Sequence, residues 1–574
     1  MQKIIKTCAA LIAIFACCLF FSAKGFSQSP DDLEFNLDVN SVTVPLPKIF
    51  KPCIDLSGRG FNRDALWPQE LATREVLDAW QKDVGFSGFY RIEYNLWEIN
   101  QLAKNKELQN KLLENYEGLI KNISDNAGTV ILDLFGTPAG LGRVLDKKSP
   151  PLDLKEFKSV VKGVIRYLSC NKKYNIWYEV WNAPDLDDFF LGRKQDYFNL
   201  YRTVAEAVKE LESEAKIHIP VGGPSVSWWF QNLDGNNIIT PERSLIYELI
   251  KFCYKYRLPL DFISWHGYST NPAAEKQDTI YKKPTVTLIR DWLSYFNFDR
   301  NTPLIVDEWN YDRSANVLPE RKEKSYITAS FIPARIKNMH EAGIDNQLYF
   351  ALEDFQNNKE GIVRNVGIFS LGGPKSVYNV FKMLTHLGNG LFASRLNDEF
   401  VGVIATKSGE DIAVIIYNYI DPEIVTNFLS MNITALNGSE RKALLNIINS
   451  DKLEKVMLKP EGISSLKVTR KLKDLLKRTQ ELNVRAKKLE SQTRSLKLTV
   501  NGLKETYAYQ RYSIDSSCSL NCKFEAIEQK EVNIVDTYQE TLSLSPYSVQ
   551  TVVLKKKPKE QEAPAAERGA EATK

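Results

Sequence analysis

Short apolar runs that close on polar residues recur along the first two thirds of the chain, separated by stretches with helical spacing of apolar positions. The runs at 86–92, 129–135, 175–181, 217–222, 261–266, 303–308 and 346–350 read as strands, with a weaker one at 53–56 around Cys53-Ile54-Asp55-Leu56. Amphipathic segments at 104–122, 153–169, 196–213, 241–257, 284–297 and 322–342 lie between them. Strand–helix alternation repeated about eight times predicts a (β/α)8 barrel. The nearly continuous apolar character of the strands fits a parallel sheet covered by helices. An open doubly wound sheet would carry a glycine-rich phosphate loop after its first strand, and none is present.

After Gly390 the period changes to two. Runs at 401–406, 411–418, 496–501 and 548–554 alternate as antiparallel strands do, and predict a β-sandwich over 391–555 after a barrel over 28–390. A charged stretch near 465–494 carries Leu472, Leu475, Leu476, Leu482 and Leu489 at helical spacing and reads as a helical insertion. The segment 556–574 has almost no large apolar residues and is expected to be a disordered tail.

The N-terminus differs from both. Lys3 and Lys6 precede an apolar stretch from about Thr7 to Ala23, and small residues follow. This is the pattern of a signal peptide over 1–27, so a periplasmic or secreted protein is expected, with membrane anchoring only if the segment stays uncleaved. A near balance of 75 basic and 71 acidic residues argues against a dedicated nucleic-acid binder. The chain has four His, and its Cys are widely spaced, Cys518 and Cys522 apart; no metal and no cofactor is expected.

Active sites of parallel barrels lie at the C-terminal ends of the strands. On this reading Arg91, Glu93, Asn182, His266, Tyr268, Glu308 and Trp309 gather there, with Trp181 and Trp265 beside them. Carboxylates and amides grip hydroxyl groups, and indole faces stack on the C–H faces of sugars. The combination points to a carbohydrate substrate or ligand.

The segments Tyr178-Glu179-Val180-Trp181-Asn182-Ala183-Pro184, Val221-Gly222-Gly223-Pro224, Asp261 to His266, Asp307-Glu308-Trp309-Asn310 and Gly367-Ile368-Phe369, in this order, resemble glycoside hydrolase family 39. That family includes β-xylosidases, α-L-iduronidases and exopolysaccharide hydrolases. The resemblance covers about residues 53–555 and implies a retaining mechanism. Glu308 would be the nucleophile, Asn182 would hold the sugar's 2-hydroxyl, and His266, Tyr268, Arg91 and Trp309 would line the site. The family's Asn-Glu-Pro motif stands here as Asn182-Ala183-Pro184, so Ala183 occupies the position of the acid/base carboxyl. A methyl group cannot donate a proton.

Asp185, with Asp187 and Asp188, follows on the same loop as a substitute acid, and Glu353 and Asp354 are a more remote source. Glu179, four residues back along the strand, is expected to point into the barrel and be paired there. Two classes of protein fit: an exported glycosidase using Glu308 with an atypical or missing acid/base, and a catalytically inactive carbohydrate-binding protein on a glycosidase scaffold.

Overall fold

The computed structural model describes residues 32–58, 66–229, 243–279, 282–311, 324–357, 362–450, 452–458 and 460–558. The predicted signal peptide and nearly all of the predicted tail lie outside them.

Eight parallel strands close into a barrel: Ile54–Asp55, Phe89–Asn95, Thr129–Phe135, Ile176–Glu179, Val221–Val226, Phe262–His266, Leu304–Trp309 and Asn346–Tyr349, with Tyr349 paired back to Ile54. Helices such as Lys106–Asp125, Lys194–Ala215, Leu245–Tyr256 and Ser325–Ala342 follow the strands and bury their apolar faces against them. The fifth strand lies later than the predicted 217–222. Ile217, Ile219 and Val221 alternate, which reads as a strand, whereas Gly222-Gly223-Pro224 reads as a turn. The barrel seats that triplet because backbone passes close by: a Cβ on Gly222 would meet the Phe262 carbonyl oxygen at 2.4 Å.

Alternation along the strands stacks the interior in layers. The lowest layer is apolar and holds Cys53, Phe89, Ile131, Phe262, Ile305 and Leu348, with Trp177 against them. Two residues further along each strand, toward the C-terminal end, the layer is polar: Asp55, Arg91, Asp133, Glu179, Ser264 and Asp307, all at most 1% exposed. The site stands on this polar floor.

The second domain packs a seven-stranded sheet against a three-stranded one, with Phe35, Leu37, Val403, Val414, Leu498 and Leu542 in the core between them. Two boundaries differ from those expected. Strands Asp32–Asp38 and Thr43–Pro45, assigned to the barrel from position 28, belong to the sandwich. Asp32–Asp38 pairs in parallel with Arg494–Asn501, and its alternating Leu33, Phe35 and Leu37 close the sandwich core. The helical insertion is also longer than 465–494. It comprises Ile424–Asn432, Gly438–Ile448, Lys452–Leu458, Pro460–Ser464 and Arg470–Leu489, around its own core of Leu429, Leu444, Ile463, Leu472 and Leu476. Its overlooked start carries a capping box in which Asn437 and Glu440 bond each other's backbone.

Candidate active site

Glu308 stands at the end of the seventh strand, with its side chain 13% exposed. Its position departs from simple alternation. Ser264, Trp265 and His266 of the sixth strand pair with Ile305, Val306 and Glu308, which leaves Asp307 as an extra residue. The eighth strand skips over the same place, Gln347 pairing with Val306 and Tyr349 with Trp309. Such a bulge re-aims the side chains that follow it. Glu308 is thereby turned toward the barrel axis, where Tyr268 donates its hydroxyl to Glu308 Oε1. His266 Nε2 lies 3.4 Å and Arg91 Nη1 3.9 Å from Glu308 Oε2.

A second bulge, at Ser225 on the fifth strand, brings in a residue that the sequence reading missed. Ser225 has φ 52° and is fully buried. Its hydroxyl accepts from Arg91 Nη2 at 3.2 Å and lies 3.4 Å from Asn182 Oδ1 and 3.2 Å from His266 Nε2. Its carbonyl accepts the Ala183 N–H at 2.9 Å. The break in the strand at Gly222-Gly223-Pro224 was the only signal for it.

Arg91 lies beneath the site and does not line it, being 1% exposed. Its guanidinium donates to Glu179 Oε2 at 2.6 Å, Asp55 Oδ2 at 2.9 Å and Asn182 Oδ1 at 3.0 Å, and Asp133 Oδ2 lies 3.3 Å away. Glu179 is therefore paired inside the barrel, and its other oxygen accepts from Ser264 at 2.7 Å. One cation faces several carboxylates in a space without water access. Burial holds the carboxyls of Asp55, Asp133 and Asp307 above the usual carboxylate range, well above it for the last two, where Glu179's charge adds to the effect. The same surroundings keep Arg91 charged. Burial, followed by Glu70's charge, pushes Glu93 up to about 8. His266 moves the other way, down to about 4, through burial and then the Arg91 charge, so its ring is neutral near pH 7.

The fourth strand ends in two left-handed residues, Trp181 at φ 71° and Ala183 at φ 40°. Asn182 between them has its amide oxygen committed to Arg91, which leaves its NH2 group to donate elsewhere. Ala183 is fully buried. Asp185, expected as a substitute acid, has both carboxylate oxygens accepting from Ser227, one from the backbone N–H at 2.9 Å and one from the hydroxyl. Asp187 and Asp188 are exposed. Asp354 is held by Lys375 at 2.7 Å, and Glu353 accepts the Thr73 N–H at 2.8 Å.

The tryptophans correct the sequence reading. Trp309, expected in the site, is fully buried: the bulge that turns Glu308 inward turns the next residue outward, where it packs on Phe331 and Tyr349 and donates to Gln347 Oε1 at 2.5 Å. Trp181 is equally buried between Phe135 and Phe190, and Trp265 is 1% exposed. None of the three offers a face to a sugar. Trp228, just past the fifth strand, is 52% exposed. Among the described residues no cluster of His, Cys, Asp and Glu could hold a metal ion.

The family model for glycosyl hydrolases family 39 matches residues 145–458, more than half of the chain. The chain belongs to glycosyl hydrolase family 39. It is 26% identical over 287 residues to a beta-xylosidase of Caldicellulosiruptor saccharolyticus, covering 47% of this chain and 54% of the relative. A beta-xylosidase of Geobacillus stearothermophilus matches at 26% over 296 residues, 47% of this chain and 53% of the relative. The chain thus spans about half the length of the curated relatives it matches.

The fold is similar to that of a family 39 enzyme from Xanthomonas axonopodis pv. citri, with TM-score 0.60 and 15% identity over 93% of this chain and 99% of that one. A monomeric beta-xylosidase from Caulobacter crescentus gives TM-score 0.59 and 15% identity over 91% and 99%. Membership of family 39 gives the chain a glycosidase scaffold, and a retaining mechanism is general to that family.

Proposed function

We propose that this protein is an exported glycosidase-like protein acting on O-glycosidic bonds, with Glu308 as nucleophile and no acid/base carboxyl at position 183. The observation that carries this reading is the orientation of Glu308 by Tyr268, His266 and Arg91 at the mouth of the barrel. In the first step a Glu308 oxygen bonds to the anomeric carbon. The leaving oxygen departs with the electron pair of the broken bond, and a glycosyl-enzyme ester results. Asn182 donates its NH2 to the 2-hydroxyl, and neutral His266 with Ser225 holds the far side of Glu308.

General acid–base assistance is worth about 10²–10⁴-fold. Without it, departure depends on a leaving group that needs no proton, and hydrolysis of the ester waits for a nucleophile that needs no base. Export is supported by the N-terminal pattern of basic, apolar and small residues and by the Cys518–Cys522 disulfide, Cα atoms 5.5 Å apart.

A single-turnover assay tests the reading, using aryl glycosides with a very good leaving group, with and without azide, beside Glu308→Gln. The expected result is release of aryl alcohol that azide accelerates, a glycosyl azide as product, and no release from Glu308→Gln. Turnover of poor leaving groups without azide would show another proton donor. A second reading, a carbohydrate-binding protein without catalysis, is favoured by the commitment of Asp185 to Ser227 and the buried methyl of Ala183. Sugar binding with no Glu308-dependent release across a broad panel would establish it.

A further inference from the structure

The charge of this protein is segregated. Residues 424–489 carry 14 Lys and Arg against 6 Asp and Glu, a net charge of +8, while the whole chain carries +4. The rest of the chain is therefore net −4. A nearly neutral protein thus conceals a strongly basic helical insert on a mildly acidic body.

The insert is placed beside the candidate active site. Asn427, on its first helix, donates to Thr270 Oγ1 at 3.1 Å, and Tyr419, just before the insert, donates to the Thr270 carbonyl at 2.5 Å. Thr270 lies two residues beyond Tyr268, which bonds Glu308. The long helix Arg470–Leu489 packs on Ile424–Asn432.

One charge of the insert is neutralised where it meets the sandwich. In the cleft of about 1010 Å³ between the insert, the sandwich and Ser325–Ala342, Arg485 pairs with Glu399 at 2.8 Å and Asp398 at 3.1 Å. The outer face of the long helix differs. Arg470, Lys477, Arg478 and Lys488 are exposed at i, i+7, i+8 and i+18, on one side, with the acids Asp474 and Glu481 exposed among them, so that side keeps an excess of positive charge. Among the described residues Arg470 has a 3.9 Å pair to Asp474, itself exposed.

We propose that the insert is a binding surface for an acidic polysaccharide, a chain bearing carboxylates that runs outward from the barrel mouth across the long helix. Charge complementarity selects an anionic chain, and contact with the Tyr268 loop selects a glycan over other polyanions. The choice of a glycan rests on the sugar-site reading above; the excess charge does not.

The test is fluorescence anisotropy of the full chain with a labelled oligogalacturonate and with its methyl ester, which has the same shape and no charge. Anionic phosphatidylglycerol vesicles and a DNA duplex are run beside them. The expected result is binding of the acid about tenfold tighter than the ester, with the preference weakened by 0.5 M salt. Arg470→Glu/Lys477→Glu/Arg478→Glu should abolish the preference, and the Gln triple variant should reduce it, both with an unchanged circular-dichroism melt. Glu308→Gln should keep it, so failure of catalysis and failure of this surface are read separately. Equal binding of acid and ester overturns the proposal, as does a triple variant that binds like the parent. Vesicles or DNA bound as tightly as the oligogalacturonate also overturn it, in favour of a general polyanion surface.

Discussion

Asp307 and Glu308 are adjacent in sequence, yet both face the barrel interior. Asp307 is fully buried beside Glu179 and Ser225, and Glu308 meets Tyr268, His266 and Arg91. Successive residues of a regular strand point to opposite faces. The extra residue at Asp307 breaks that rule and places two carboxyl groups on the same side at successive levels.

The same bulge predicts what Trp309 does. Its indole is in the outer core, bonded to Gln347. Trp309→Phe is expected to lower stability by about 1–2 kcal/mol through the lost hydrogen bond and packing. Sugar affinity should stay as it was. Urea denaturation and a ligand titration on the same variant check both parts; a loss of affinity without a loss of stability would return Trp309 to the site.

Much of this fold was legible because barrel strands announce themselves by apolar runs, and seven of the eight lie where those runs predict. What escaped was local. Gly222-Gly223-Pro224 has the chemistry of a turn, and only the close approach of Phe262 explains it as strand. In the site, residue types were readable but orientation was not. The tryptophans at strand ends read as sugar platforms because alternation cannot foresee a bulge at Asp307 or left-handed residues at Trp181 and Ala183. Of the polar floor only the inward, paired Glu179 was foreseen, since Asp55, Asp133 and Asp307 are one per strand and meet only on closure of the barrel.

Arg91 holds that floor together. Its guanidinium pairs with Glu179 at 2.6 Å and also lies against Asp55 and Asp133, all buried. Removing one partner of a buried ion pair costs about 3–5 kcal/mol. Arg91→Met is expected to lose at least that much by chemical denaturation, whereas Arg91→Lys, which cannot serve three acceptors in a plane, should fall between.

The raised carboxyls set a pH dependence. Asp133 and Asp307 hold their protons above the ordinary carboxylate value because of burial, while the unfolded chain releases them near 3.8. The folded state then binds more protons than the unfolded one, so their contribution is present below 3.8 and is lost as pH rises. Asp133→Asn and Asp307→Asn are neutral at every pH. Each should melt close to the parent at pH 4 and progressively higher than it toward pH 8, as measured by calorimetry across that range.

His266 works in the opposite sense. Its ring is held down to about 4 in the folded protein against 6.5 when unfolded. The unfolded state binds the extra proton between those values, so stability contributed above pH 6.5 is lost as pH falls toward 4. In a nitrogen-15 spectrum the His266 ring should remain neutral at pH 5.5, with no titration near 6.5. A midpoint near 6.5 would show that its burial and the Arg91 charge do not govern it.

Ala183 offers the most direct test of the proposed absence of an acid/base carboxyl at position 183. Its backbone is held at φ 40° by the N–H bond to the Ser225 carbonyl, with Asn182 before it and Pro184 after it. Ala183→Glu keeps that bond and adds a carboxyl at the end of the fourth strand. In a retaining site the two carboxyls stand roughly 5–5.5 Å apart, one to attack and one to protonate. The variant should therefore gain about 10²–10⁴-fold in kcat/KM on glycosides with poor leaving groups, lose its response to azide, and show a new basic limb in its pH profile. The double variant Ala183→Glu/Glu308→Gln should show none of these gains. If Ala183→Glu folds and gains nothing while the azide-dependent reaction of the parent is intact, then the proton in this protein is delivered from elsewhere than the fourth strand.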